Sequence, residues 1–113
     1  GHLRLTWLYL NKLPLEKAIG SITNGIAAYA SSLGATDKFQ HTLSEAIIRI
    51  VDLRMESGRE DTLGAFLDNN KDLVEDIWAV VGVHYSHETL ISKTARKRFV
   101  EPDLLPITSV DTI

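Results

Sequence analysis

Cysteine is absent from the sequence, which excludes a disulfide framework and a thiolate metal site. That absence fits a reducing, cytoplasmic setting. Long apolar runs are absent as well. None approaches the roughly 18 residues that cross a bilayer, and no charged-then-apolar signal segment opens the chain, so no membrane partner is expected. Basic charge is not in excess: the formal net charge is −3, which argues against a general nucleic-acid backbone binder. A Gly-rich phosphate loop, a Gly-x-Ser-x-Gly nucleophile turn and EF-hand spacing are all missing. What remains is a chain of 113 residues, 44% apolar and 24% charged, with enough material for one core without metal or disulfide staples. The opening GHLRL lacks an initiator Met and reads as a fragment or as a start with vector-derived residues.

The apolar spacing predicts an all-α, compact single-domain bundle of five to seven helices with an extended C-terminal tail. Leu3, Leu5 and Trp7 alternate as a strand would, yet Leu8 and the helix-favouring leucines make residues 2–11 a short helix. Pro14 suits a first helical turn, and from Leu15 the residues Ala18, Ile22, Ile26, Tyr29 and Leu33 mark one helix face closed by Gly34. Gly20 and Gly25 inside that helix suggest a close neighbour or local looseness. Asp37 followed by Gln40 forms a capping-box pattern, so the next helix is expected to start there and to stop at Gly58. Its apolar stripe is wide, as for a central helix packed on several sides. Leu63, Phe66 and Leu67 give a short helix ended by Asn69 and Asn70, and the run from Leu73 to Val81 continues at helical spacing. Ser86 and Ser92 read as N-caps of short helices, and residues 101–113 as a tail whose Leu104, Leu105 and Ile107 must cover something.

Ionisable residues run through the central helix, with His41, Glu45 and Arg49 four apart on one face. Enclosed, such a row offers a His oriented by a carboxylate for proton transfer. Exposed, it is an ordinary line of alternating charge. A second group is GVHYSHETL, where His84 and Tyr85 stand at a helix end and His87 follows after the break at Ser86. That break spoils zinc-ligand geometry, and a structural role beside a helix end is the better reading. A third group is His2, Arg4, Trp7 and Tyr9 on the opening segment. Lys93, Arg96, Lys97 and Arg98 cluster without interleaved aromatics, so they read as a solvated helix end.

Three stretches, HLRLTWLYL, DKFQHTLSEA and HYSHETLISKTARKRFVEPD, resemble a family of small, all-helical, functionally uncharacterised bacterial proteins. The family pattern implies a His in the first stretch, Lys–aromatic–His–x–Thr in the second, and a Tyr with Phe-Val-x-Pro-Asp in the third. His2, Lys38, Phe39, Thr42, Tyr85 and Phe99 through Asp103 match it. Gln40 stands where the middle His belongs, and His41 comes one place later, about 100° around a helix.

Two functions follow as expectations. One is a helix-lined polar pocket for an unknown small molecule, with His41, Glu45 and His2 as acid–base residues and Arg4, Trp7, Lys38, His84 and Tyr85 holding the substrate. It calls for no cofactor, and a metal version using His2, His41, Glu45 and His84 is weaker. The alternative is a non-catalytic interaction or homodimerisation domain, motivated by apolar surface in surplus for so short a chain.

Overall fold

The structure, a computed structural model, describes residues 2–108. Eight α-helices make up most of it, with no strand among the described residues. They are α1 (His2–Lys12), α2 (Leu15–Ser32), α3 (His41–Gly58), α4 (Leu63–Asn69), α5 (Lys71–Glu75), α6 (Ile77–Gly82), α7 (His87–Leu90) and α8 (Lys93–Lys97). A single 3-10 turn, Thr36–Lys38, precedes α3.

Helix α3 is the axis, packing against α1, α2, α6 and α8. This explains its wide apolar stripe. Ala46, Ile50 and Val51 face a core built with Trp7, Phe66, Leu73 and Val81. Ile48 faces the other way, into a second cluster with Ala18, Ile19 and Ile22 of α2. Two cores on two sides of one helix leave a narrow strip for polar groups, and His41, Glu45 and Arg49 lie along it.

Helix ends follow local chemistry, with three departures from the sequence reading. Gly34 takes the left-handed conformation (φ 69°) just past α2, as expected of a glycine there. Asp37, in contrast, is not the cap of α3. It lies in the 3-10 turn closed by Lys38 N–H to Ala35 and Phe39 N–H to Thr36. Gln40 is then extended (φ −120°, ψ 105°), so α3 starts at His41, with no side-chain cap. At the far end Gly58 stays helical and Arg59 takes the left-handed turn (φ 57°). Finally, the run 71–82 is two helices. Asp76 breaks it (φ −152°, ψ 59°) and its carboxylate accepts the Ala79 N–H at 3.4 Å, capping α6. Ser86 and Ser92 cap α7 and α8 as expected, accepting from the N–H groups of Thr89 and Ala95.

From Arg98 to Thr108 the chain has no helix and forms a strap across α3 and α6. Ile107 packs on the core, but Leu104 and Leu105 remain 58% and 52% exposed. Those two leucines therefore do not cover the domain as expected. Residues 109–113 of the expected tail lie outside the described residues.

Candidate functional site

Glu45 is buried, and both its oxygens are engaged by neighbours one helical turn away. Oε1 accepts from His41 Nε2 at 3.1 Å, and Oε2 accepts from Arg49 Nε and Nη2 at 3.0 and 2.9 Å. Arg49 also lies 5.1 Å from the Phe99 ring centroid, a cation–π contact, and 3.6 Å from Glu16 on α2. A carboxylate only accepts, so His41 Nε2 is the donor in this contact. This is how an acid–base His is oriented. Yet neither His41 nor Glu45 lines the cleft described below.

The same face of α3 anchors the strap. Thr42, fully buried, donates to the Arg98 carbonyl at 2.8 Å and accepts from the Val100 N–H at 3.0 Å. Tyr85 donates to the Val100 carbonyl at 2.6 Å. Burial raises its phenol pKa, and the charges of Glu101 and Glu45 add to the rise. Asp103 Oδ1 accepts from the Ser86 N–H at 2.9 Å, and hydrogen bonding from Ser86 holds its carboxyl below the usual range. His84 Nδ1 donates to the Leu105 carbonyl at 2.8 Å, and Leu104 N–H returns a bond to the His84 carbonyl. Thr42, Tyr85, His84 and Asp103, all singled out in the sequence, are thus used to hold backbone.

A cleft of about 700 Å³ lies between α3 and α5–α6, lined also by His84 and Thr108. Ile50 and Leu53 of α3 and Ala79, Val80 and Val83 of the opposite wall make it apolar. Polar groups stand at its edge: Arg54, Glu56, Ser57, Asp72 and Asp76. Arg54 grips Asp72 through two bonds of 2.6 and 2.8 Å and also reaches Asn70 Oδ1 at 3.2 Å. That fork holds the Asp72 carboxyl below its ordinary range. Glu56 and Asp76 have no such counter-ion among the described residues. Glu56 instead pushes the pKa of Asp52, one turn away, upward, adding to the larger effect of burial.

The structure does not gather the expected site residues around one cavity. His2 and Lys38 share a small cavity at the start of α3. His41 and Glu45 pair on α3, Tyr85 holds the strap, and His84 both bonds the strap and lines the cleft. Trp7 is in the core, its ring 5.1 Å from that of Phe66, and Arg4 is exposed on α1. The ligands imagined for a metal are dispersed in the same way, and the described residues hold no group of three or more His, Asp or Glu suited to one. The cleft residues Arg54, Asp72 and Asp76 were missed in the sequence. They come from separate segments, and only the Asp76 position before an apolar run signalled its capping role. Comparisons with protein-family models, curated proteins and solved structures found no match to this chain. Among the described residues no helix is long and apolar enough to cross a membrane.

Proposed function

We propose that this chain binds a small amphipathic molecule with a cationic head in the cleft between α3 and α5–α6. The observation that carries the reading is the cleft itself: about 700 Å³, lined by apolar side chains and by two carboxylates, Glu56 and Asp76, that make no ion pair among the described residues. Ligand sites commonly fall between about 300 and 1,000 Å³ and combine apolar walls with a few convergent polar groups. With Asp72 neutralised by Arg54, Glu56 and Asp76 leave the rim negative. An ammonium placed there would meet complementary charge while its apolar body lies on Leu53, Val80 and Val83.

Acid–base catalysis by His41 and Glu45 is the weaker proposal, because Arg49 occupies the second carboxylate oxygen and His41 does not line the cleft. Titration with 2-phenylethylamine, octylamine and octanoate, followed by amide NMR shifts, tests the binding reading. Saturable shifts at Leu53, Ala79 and Val83 with the amines, weakened by Glu56→Gln with Asp76→Asn, are expected. No saturation, or equal response to octanoate, would sink it.

One observation favours a second reading, association through a surface. Val74 and Trp78 lie four residues apart across the α5–α6 break and are 60% and 64% exposed. Exposed tryptophan is enriched where proteins meet partners. Sedimentation velocity over a wide concentration range tests the homodimer form. A self-association abolished by Trp78→Ala supports it, and a monomer throughout removes it.

A further inference from the structure

Val83 is 54% exposed, about as open to solvent as the two leucines of the strap, Leu104 and Leu105. All three gather at His84. Val83 precedes it in the chain, Leu104 donates its N–H to the His84 carbonyl at 3.0 Å, and the Leu105 carbonyl accepts from His84 Nδ1 at 2.8 Å. Val83 and His84 also line the cleft between α3 and α5–α6, so this exposed patch continues the apolar wall made by Leu53, Ala79 and Val80. The leucines are held in place. Their backbone is fixed by the two bonds to His84 and by Asp103, their neighbour in the chain, which accepts the Ser86 N–H. Apolar groups on a backbone already fixed lose less freedom when a partner covers them.

Acids stand at both ends of this apolar strip. Glu56 and Asp76 line the cleft, and Glu101 and Asp103 precede the leucines on the strap. All four are exposed, and none makes an ion pair among the described residues. Arg54, which also lines the cleft, is bound by Asp72. A second copy of the chain, with its net charge of −3 and the same acids, would meet like charge here. A helix with a leucine face flanked by lysines meets opposite charge at the rim and apolar surface between. Building on the reading of the cleft as a site for cationic amphiphiles, we infer that cleft and patch together dock a basic amphipathic helix of a partner protein. One leucine of that helix enters the cleft against Leu53 and Val80, and the next rests on Leu104 and Leu105. Its lysines face Glu56, Asp76 and Asp103.

The probe is a synthetic leucine–lysine peptide of about 18 residues, with leucines at helical spacing, roughly 27 Å long when helical. Two controls accompany it: the same residues shuffled so that no apolar face forms, and a version with glutamate in place of lysine. Binding to the full chain is followed by amide NMR shifts, in parallel with octylamine. Saturable shifts at Ala79, Val83, Leu104 and Leu105 are expected with the leucine–lysine helix. The shuffled peptide should bind about tenfold more weakly, and the glutamate version should be silent. Leu104→Ser with Leu105→Ser should weaken the helix about tenfold. The same double variant should leave octylamine binding and the melting temperature unchanged, because both side chains are exposed and neither lines the cleft. Equal binding of the shuffled peptide, or undiminished helix binding by the double variant, would overturn the proposal. So would a concentration-dependent dimer that the double variant abolishes, since a second copy would then cover the patch. Saturable octylamine binding beside a silent helix removes the docking proposal alone, and a helix that binds where octylamine does not removes the small-molecule reading alone.

Discussion

Thr42 illustrates how a residue that looks like part of a site can be a fastener. Its hydroxyl makes two bonds to backbone more than fifty positions away, to Arg98 and Val100. Thr42→Val keeps the shape and removes both. With the Arg98 carbonyl and the Val100 N–H left unpaired, a loss of about 1–3 kcal/mol is expected in chemical denaturation, and Thr42→Ser should recover most of it. Tyr85→Phe removes the single bond to Val100 and should cost about 1 kcal/mol. If Thr42→Val melts like the unaltered protein, the strap is not held as described.

Asp52 offers a pH-dependent check at the same scale. Burial, with the Glu56 charge one turn on, raises its pKa above 3.8, against a smaller lowering by Arg49. The folded protein therefore holds the Asp52 proton more tightly than the unfolded chain does. This group's contribution to stability falls as pH rises from 3.8 through the higher folded value. Asp52→Asn should be more stable than the parent at neutral pH, and the two should converge as pH drops toward the unfolded pKa. Thermal melts across that range decide it, and an Asn variant less stable at neutral pH contradicts the assignment.

Helix interiors and their faces could be read from spacing, and the ends could not always be. The α2 face from Leu15 to Leu33 and the stop at Gly34 are local patterns, and they hold. The start of α3 does not follow its capping-box pattern, because Asp37 is committed to the 3-10 turn and Gln40 to an extended link. The stop at Gly58 moved one residue because Gly58 stays helical and Arg59, against the usual preference of a residue with a Cβ, takes the left-handed conformation that ends the helix. Gly20 and Gly25 are informative by contrast. A Cβ built on either meets nothing within 4 Å, so no close neighbour accounts for them. Gly25→Ala, on the exposed side of α2, should stabilise the protein by about 0.5–1 kcal/mol in denaturant titration. Destabilisation would mean that α2 needs its flexibility.

In the whole molecule, the distinction between fold and site is one of sequence distance. An all-helical bundle follows from contacts within a few residues, and it was legible. Which polar residues meet depends on contacts such as Thr42 with Val100 or Arg54 with Asp72, which no spacing encodes. The row His41, Glu45, Arg49 was recognised as a row from its four-residue period. Only the fold reveals that its members bond to one another, with Phe99 against Arg49, and that the larger opening lies elsewhere on α3.

Ala79 sits on the wall of that opening with its side chain exposed, so a larger residue there fills the cleft without entering either core. The most direct measurement is the affinity of Ala79→Trp for octylamine, taken beside its melting temperature. Loss of binding with the melting temperature unchanged is the predicted result. Undiminished binding by a folded Ala79→Trp protein would contradict a ligand site between α3 and α6.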